Sequence, residues 1–172
     1  MDTFFEQLVA IKKTAKTWVL FLLLWLAAVV CIACCMLFLW KFVGVYVLLL
    51  VFGVLYGAYR LSLLLSVEYE YIITNGSVDI DKIIAQSSRK RIASFELSDV
   101  QSLEKYNLSS AQHENCEKVI VACNTDDENA YALKVAMKSG GNMLVVYAPN
   151  EKMREATVKF LPKFIANDAF KN

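Results

Sequence analysis

The sequence predicts an α+β protein in which a transmembrane helical hairpin is followed by a seven-stranded antiparallel β-barrel or sandwich, capped by a C-terminal α-helix. Trp18–Trp40 and Phe42–Tyr59 contain 23 and 18 residues without a charge, and a spanning helix needs about 20 apolar residues. Beyond residue 66 the chain has ordinary polarity and short alternating apolar segments between turn residues, which are typical of strands. We therefore divide it into a juxtamembrane segment (1–16), the hairpin (17–66) and a cytoplasmic domain (67–172).

The composition excludes several classes of protein. The 172 residues include 18 Lys and Arg and 17 Asp and Glu, a net charge of +1, so no global positive field would attract nucleic acid. Apolar residues make up 57%, above the roughly 45–50% of soluble domains. With 2 prolines and a 20% charged fraction, the chain is also unlike a disordered protein.

Residues 1–16 have the pattern of a short amphipathic helix. Phe4, Leu8, Ile11 and Ala15 recur at helical spacing, and the lysines lie off that stripe. Such a helix would lie in the membrane interface. Alternatively, it would extend the first span into the cytosol, and the sequence leaves both interpretations open.

The hairpin is predicted to turn near Lys41–Gly44, because Lys41 is the only charge between the two spans. Basic residues flank the outer ends of both spans, and an excess of Lys and Arg marks cytoplasmic flanks. The sequence thus predicts a multi-pass protein of the cell membrane with both termini in the cytoplasm. Since neither span contains Asp, Glu or His, a transporter or pump is not expected.

Four residues are predicted to anchor the hairpin at the interface. Trp18 and Trp40 would lie about 33 Å apart at the helical rise, as the two halves of an aromatic belt do. Tyr59 marks the cytoplasmic end of the second span. The long side chain of Arg60 can reach from there to the lipid headgroups.

The second span contains a G-x-x-x-G pattern formed by Gly53 and Gly57. Small residues at this spacing let two helices approach closely. The pattern predicts either packing of the second span on the first or self-association of the chain as a homo-oligomer.

The cytoplasmic domain is predicted to contain seven strands and one helix. Asn75-Gly76 is a strong hairpin signal, because both turn residues favour positive φ. Asn150 is the expected N-cap of the helix, and Pro162 should end it near Leu161. The strands are predicted at 69–73, 78–84, 89–97, 100–106, 119–123, 131–137 and 143–148, with a long loop at Asn107–Glu117.

Seven strands closed by one helix is the element order of a pleckstrin-homology-like (PH-like) barrel. Two spans followed by Tyr69–Gly76, Val78–Ala85 and Arg89-Lys90-Arg91 resemble an uncharacterised family of small bacterial membrane proteins with a cytoplasmic PH-like domain. The closing Ala148–Met153 and Leu161-Pro162 are also similar to that family. The resemblance covers about residues 15–165 and implies fold and topology, but assigns no catalytic residue.

The basic run Arg89-Lys90-Arg91 is the candidate binding site for anionic lipid headgroups or a protein partner. Basic residues near an anionic surface gain about 1 kcal/mol each. Alternatively, Arg89 and Arg91 pair across a hairpin with Asp79 and Asp81.

Catalytic chemistry is not predicted. Cys31, Cys34 and Cys35 lie within the first span, where they behave as small hydrophobes. Cys116 and Cys123 should stay reduced in the cytoplasm, and the single His113 is expected in a solvated loop. We expect no metal, no cofactor and no enzymatic activity.

The sequence instead favours a membrane-anchored binding or adaptor module that contacts a membrane protein or lipid headgroups. The alternative is a homo-oligomer assembled through its spans, with the β-domain as a regulatory cap.

Overall fold

The computed structural model describes residues 3–107, 116–124, 126–137, 140–167 and 169–170. The chain forms two compact units. The β unit comprises the described residues of Met1–Ile11, Glu68–Ile83 and Arg89–Asn172, and the helical unit comprises Lys12–Val67 and Ile84–Ser88. Residues 3–11, predicted to lie in a separate juxtamembrane segment, belong to the β unit together with the predicted PH-like domain.

The helical unit contains three α-helices. Thr14 caps the first, because its hydroxyl accepts a hydrogen bond from the Thr17 amide at 3.4 Å. Gly44 has φ 57° and ψ −135°, so it interrupts the helical path within the segment where the sequence predicts a turn. The elements are α1 (Ala15–Cys34), a π-helical turn (Cys35–Leu39), α2 (Trp40–Val43), a 3₁₀ turn (Gly44–Tyr46) and α3 (Val47–Leu63), and α1 contacts α3.

By length and composition, the helical stretch Ala15–Leu63 could cross a membrane. Only 6% of its most apolar window is buried, whereas the core helix of a soluble protein would be mostly buried. Large apolar side chains such as Leu37 and Phe42 are 72% and 87% exposed.

The first sheet of the β unit has the order β1-β2-β3-β4. Its strands are β1 (Phe4–Ala10), β2 (Val67–Thr74), β3 (Ser77–Ile84) and β4 (Ser88–Glu96). β1 runs antiparallel to β2, from Phe4 opposite Thr74 to Ala10 opposite Glu68. Asn75 and Gly76 both have positive φ in the turn between β2 and β3, as this dipeptide predicts.

The prediction of an amphipathic helix in residues 1–16 is wrong for Phe4–Ala10, which forms strand β1. Apolar residues stand at both odd and even positions of this segment. Its few residues therefore fit the spacing of an amphipathic helix as well as the alternation of a strand. The pairing with β2 decides the outcome, because it places Phe5 and Val9 against the core.

The second sheet has the order β5-β7-β8-β6. β6 runs parallel to β8, whereas β5–β7 and β7–β8 are antiparallel. The prediction of seven antiparallel strands is therefore corrected: residues described by the structure form eight strands in two sheets, without a closed barrel. The strands are β5 (Val100–Lys105), β6 (Lys118–Val121), β7 (Tyr131–Ala136) and β8 (Asn142–Tyr147).

A C-terminal helix packs on the core, as the sequence predicts. Helix α4 (Glu151–Phe160) starts at Asn150, whose Oδ1 accepts a hydrogen bond from the Met153 amide at 2.9 Å. It ends before Pro162, which precedes a short helix, α5 (Lys163–Ala166). Met153 belongs to the core cluster, together with residues from both sheets.

Candidate functional site

The side chain of Arg91, at the start of β4, binds two carboxylates of β3. Its Nη1 lies 2.9 Å from Asp79 Oδ2, and its Nε donates a hydrogen bond to Asp81 Oδ1 at 2.9 Å. The hydrogen bond to Asp81 raises the pKa of Arg91. Arg91 therefore pairs across the β3–β4 hairpin with Asp79 and Asp81, as the alternative interpretation of the basic run predicts.

Arg89 pairs with a different residue from the one the sequence suggested. Its Nη1 lies 2.9 Å from Oε2 of Glu70, on β2. The Arg89 side chain is 62% exposed, whereas that of Glu70 is 1% exposed. Glu70 Oε2 has no hydrogen-bond partner among the described residues, so this contact is an ion pair without hydrogen-bond geometry.

Glu70 also has a carboxyl neighbour on β1. Burial raises the pKa of Glu70, its hydrogen bond with the Glu6 side chain raises it further, and the charge of Arg89 opposes both effects. Sequence reasoning missed this pair because it did not recognise β1, whose register places Leu8 opposite Glu70 and Glu6 two residues away.

Arg89 and Arg91 form ion pairs with carboxylates, whereas Lys90 forms none with a described residue. It is exposed. A role of Arg89, Lys90 and Arg91 in binding headgroups or a partner stays a prediction, to which Lys90 would contribute its full charge.

The predicted interfacial anchors lie on the surface of the helical unit. Trp18 and Tyr59 are each 53% exposed and Trp40 is 48% exposed. Lys13 Nζ lies 5.5 Å from the centre of the Trp18 ring, a favourable cation–π distance. Arg60 is in the last part of α3.

The space next to Gly53 and Gly57 is open in the described part of the chain. A Cβ atom added to either glycine would meet nothing within 4 Å. The buried residues of the two helices are instead Ala28, Val47 and Ala58. Packing of the second span on the first through the glycines and self-association through them both stay predictions.

Strand β4 forms one border of the first sheet and has hydrogen-bonding groups directed away from it. On the β3 side, the Leu97 amide donates to the Gly76 carbonyl at 2.9 Å. On the other side, Lys118 Nζ donates to the Ile92 carbonyl at 3.1 Å. Because strand residues alternate their backbone direction, the groups of Ile92, Ser94 and Glu96 face away from β3.

A groove of about 540 Å³ lies beside this border of β4, which pairs with no described strand. Its lining includes the apolar side chains of Phe95, Val135 and Met143. Lys118 lies beside Ile92, at one end of the part of β4 that lines the groove, and Glu96 lies at the other end. The groove therefore has a basic end, an apolar floor and an acidic end.

The cysteines do not form a reactive site in the part of the chain that the structure describes, which contains no group of three potential metal ligands. Burial raises the pKa of Cys123 to about 11, so its thiol stays protonated near neutral pH. Cys31 and Cys34 are exposed in α1, and Cys35 is half-buried in the π-helical turn. His113 and most of the predicted loop Asn107–Glu117 lie outside the described residues.

Comparison with known proteins identifies the family. A family model described as a bacterial PH-like domain (DUF6106) matches residues 1–167. No curated protein and no solved structure matches the chain. The match includes β1, the helical unit, both sheets and α4. The chain therefore belongs to the bacterial PH-like domain family DUF6106.

Proposed function

We propose that the protein is a membrane-anchored, non-catalytic binding module. Its helical unit crosses the cell membrane twice as a hairpin, and its β unit binds a membrane-protein partner or anionic headgroups at the cytoplasmic face. The observation that carries the proposal is the pairing of Ala10 with Glu68, the residues on either side of the helical insertion.

This pairing constrains how many times the insertion can cross a bilayer. Opposite residues of an antiparallel pair have Cα atoms about 4.5–5.5 Å apart, whereas a straight 49-residue helix is about 73 Å long. The helical stretch must turn back to return the chain to β2. Gly44 and its positive φ lie between α1 and α3, which contact each other. This return path supports the proposal of two crossings.

The charges at the ends of the insertion support the orientation. Lys12, Lys13 and Lys16 precede or begin α1, and Arg60 lies near the end of α3. The basic flanks mark the cytoplasmic side, which would also hold the β unit and both termini.

A binding role is supported by the PH-like family, whose domains are typically non-catalytic binding modules. Lys90, and the exposed part of Arg89, offer positive charge to headgroups or an acidic partner. Each basic group near an anionic bilayer contributes about 1 kcal/mol.

Cysteine accessibility in cells tests the topology. In a full-length variant without the natural cysteines, Lys41→Cys should react with a membrane-impermeant maleimide applied outside the cell, and Lys90→Cys should react only after the cells are opened. The protein should also resist alkaline extraction from membranes. External labelling of Lys90→Cys, or release by alkali, would overturn the proposal.

The headgroup contact is tested with full-length protein in nanodiscs. A polarity-sensitive fluorophore on Ser88→Cys should shift when anionic lipid replaces zwitterionic lipid, and Lys90→Ala should reduce that shift. Lys152→Ala, at an exposed position of α4, is the matched control. Equal spectra in both lipids would instead favour a protein partner.

A second candidate function is a homo-oligomer assembled through α3. The open space around Gly53 and Gly57 favours it, because no described residue lies within 4 Å of a Cβ atom added to either glycine. Crosslinking in membranes should then give discrete oligomers that Gly53→Ile and Gly57→Ile abolish. Unchanged oligomers in both variants would exclude this interface.

A further inference from the structure

We propose that the border of β4 that pairs with no described strand is an interface for a second copy of this chain. The two β4 strands would pair antiparallel, with Ser94 opposite Ser94 of the second copy. Lys118 of each copy would then form an ion pair with Glu96 of the other. The proposal rests on the membrane anchoring proposed above, which raises the effective concentration of the β units.

The hydrogen bonds that such pairing needs are available on β4. The backbone groups of Ile92, Ser94 and Glu96 face away from β3, as the bonds of Leu97 and Lys118 on its two sides show. With the symmetry axis at Ser94, Ile92 lies opposite Glu96 of the second copy, and the strands exchange about six hydrogen bonds. Lys118 already occupies the Ile92 carbonyl, which indicates that this acceptor can be reached from outside the sheet.

The charges on the border complement those of its own antiparallel copy. Lys118 Nζ lies 3.1 Å from the Ile92 carbonyl, the position that faces Glu96 of the second copy in this register. Glu96 is exposed and makes no ion pair with a described residue. A two-fold interface repeats each contact, so one Lys118–Glu96 contact becomes two.

The register also aligns the buried faces of the two β4 strands. Ala93 would lie opposite Phe95 of the second copy, and directly opposite residues point to the same face of a sheet. Ala93 and Phe95 both point to the buried face. The buried faces of the two copies would therefore continue into each other beside the groove, and each Phe95 ring, which is 8% exposed, would stay in the core of its own copy.

The small area of the β4–β4 contact makes the dimer depend on membrane anchoring. One pair of five-residue strands buries less than the roughly 1,600 Å² of a standard stable interface. Confinement to one membrane converts association into a local event with a high effective concentration. The dimer should form among anchored copies and weaken as salt screens its exposed ion pairs.

A charge-swap experiment on full-length protein tests the interface. Two differently tagged copies are expressed together, and their co-purification from mild detergent is measured. Lys118→Glu and Glu96→Lys should each reduce co-purification by roughly tenfold, as expected for a loss of about 1.4 kcal/mol. The double variant should recover it, and the two single variants should pair with each other. Lys152→Glu should have no effect.

Absence of recovery in both the double variant and the mixed pair would overturn the proposal. Circular dichroism shows whether each variant is folded, and alkaline extraction measures anchoring separately. A protein that resists extraction but does not pair contradicts this interface and leaves the proposed function standing. A protein released by alkali contradicts the proposed function instead.

Disulfide trapping tests the register independently. In a cysteine-free background, Ser94→Cys should form a dimer under mild oxidation, because Cα atoms of directly opposite residues lie within disulfide range. Ser98→Cys is the matched control, since this exposed residue would lie far from its own copy. Equal trapping at both positions, or trapping of Ser94→Cys only to other proteins, would overturn the register.

Discussion

Ala10 and Glu68 lie opposite each other in the β1–β2 ladder, although 57 residues separate them in the sequence. The helical insertion therefore begins and ends at one position of the β unit. The β unit should not need the insertion to fold, but it should need β1.

The first prediction is that a chain in which Asn-Gly replaces Lys12–Ser66 folds as a soluble β protein. The replacement joins β1 to β2 by a short turn and removes the exposed apolar surface. A fragment of residues 67–172 should be much less stable, because it leaves the β1-binding side of β2 uncovered. Circular dichroism and urea unfolding compare the two, and equal stability would contradict the role of β1.

A pair of substitutions in the shortened chain refines this prediction. Phe5 packs against the core, whereas Phe4 is 61% exposed. Phe5→Ser should lower the free energy of unfolding by about 2 kcal/mol, and Phe4→Ser by much less, because only Phe5 loses buried contacts. Similar losses for both would show that β1 is held in another register.

The second prediction concerns pH. The pKa of Glu70 is raised in the folded protein above its ordinary value of 4.5, so the folded state holds its proton more tightly than the unfolded state. Its stabilising effect is complete below pH 4.5 and is lost as pH rises through the folded value. Glu70→Gln cannot lose that proton and should reduce the fall in melting temperature as pH rises above 4.5.

Melting curves from pH 4 to 8 check this effect, with Glu128→Gln on an exposed turn as the control. The control should follow the wild-type profile. Parallel profiles for wild type and Glu70→Gln would show that the folded state holds the Glu70 proton no more tightly than the unfolded state does.

The third prediction separates Arg91 from its neighbour Lys90. Arg91→Met leaves Asp79 and the mostly buried Asp81 without their cation, so the melting temperature should fall. Lys90→Met should leave it unchanged, because no described carboxylate depends on Lys90. If both variants melt alike, the carboxylates of β3 are stabilised by other groups.

The fourth prediction concerns thiol reactivity. Cys123 is buried and has a pKa of about 11, so only about one molecule in a thousand carries the thiolate at pH 8. Half-exposed Cys116 should be alkylated first in the folded protein. Mass spectrometry after timed alkylation measures the difference, which should disappear in urea; equal rates in native buffer would contradict the burial of Cys123.

Signals that act over a few residues predict their elements well. Asn75-Gly76, the Asn150 cap and Pro162 each have the predicted effect, because each acts on the backbone next to it. The pairing of Arg91 with Asp79 and Asp81 could also be foreseen, since the strands are joined by a short turn.

Contacts between segments that are distant in the sequence could not be predicted from local patterns. Nothing near Phe4–Ala10 specifies a partner that begins at residue 67, and the Arg89–Glu70 ion pair involves strands that are not consecutive. The parallel pairing of β6 with β8 likewise depends on which strand reaches the free side of β8. In each case tertiary contacts select between conformations that the local sequence allows.

The interrupted sheet links biosynthesis to topology. Synthesis proceeds at about 5–20 residues per second, so β1 waits several seconds before β2 leaves the ribosome. If the helical unit spans the membrane as proposed, the translocon must insert it as a hairpin during that interval. If it inserts only one arm, or the hairpin in reverse, β1 is stranded on the wrong side of the lipid or the whole lobe is exported. A completed first sheet would then report that insertion returned the chain to the side of β1, and molecules in which only one arm inserts would present an unfinished lobe to cellular proteases.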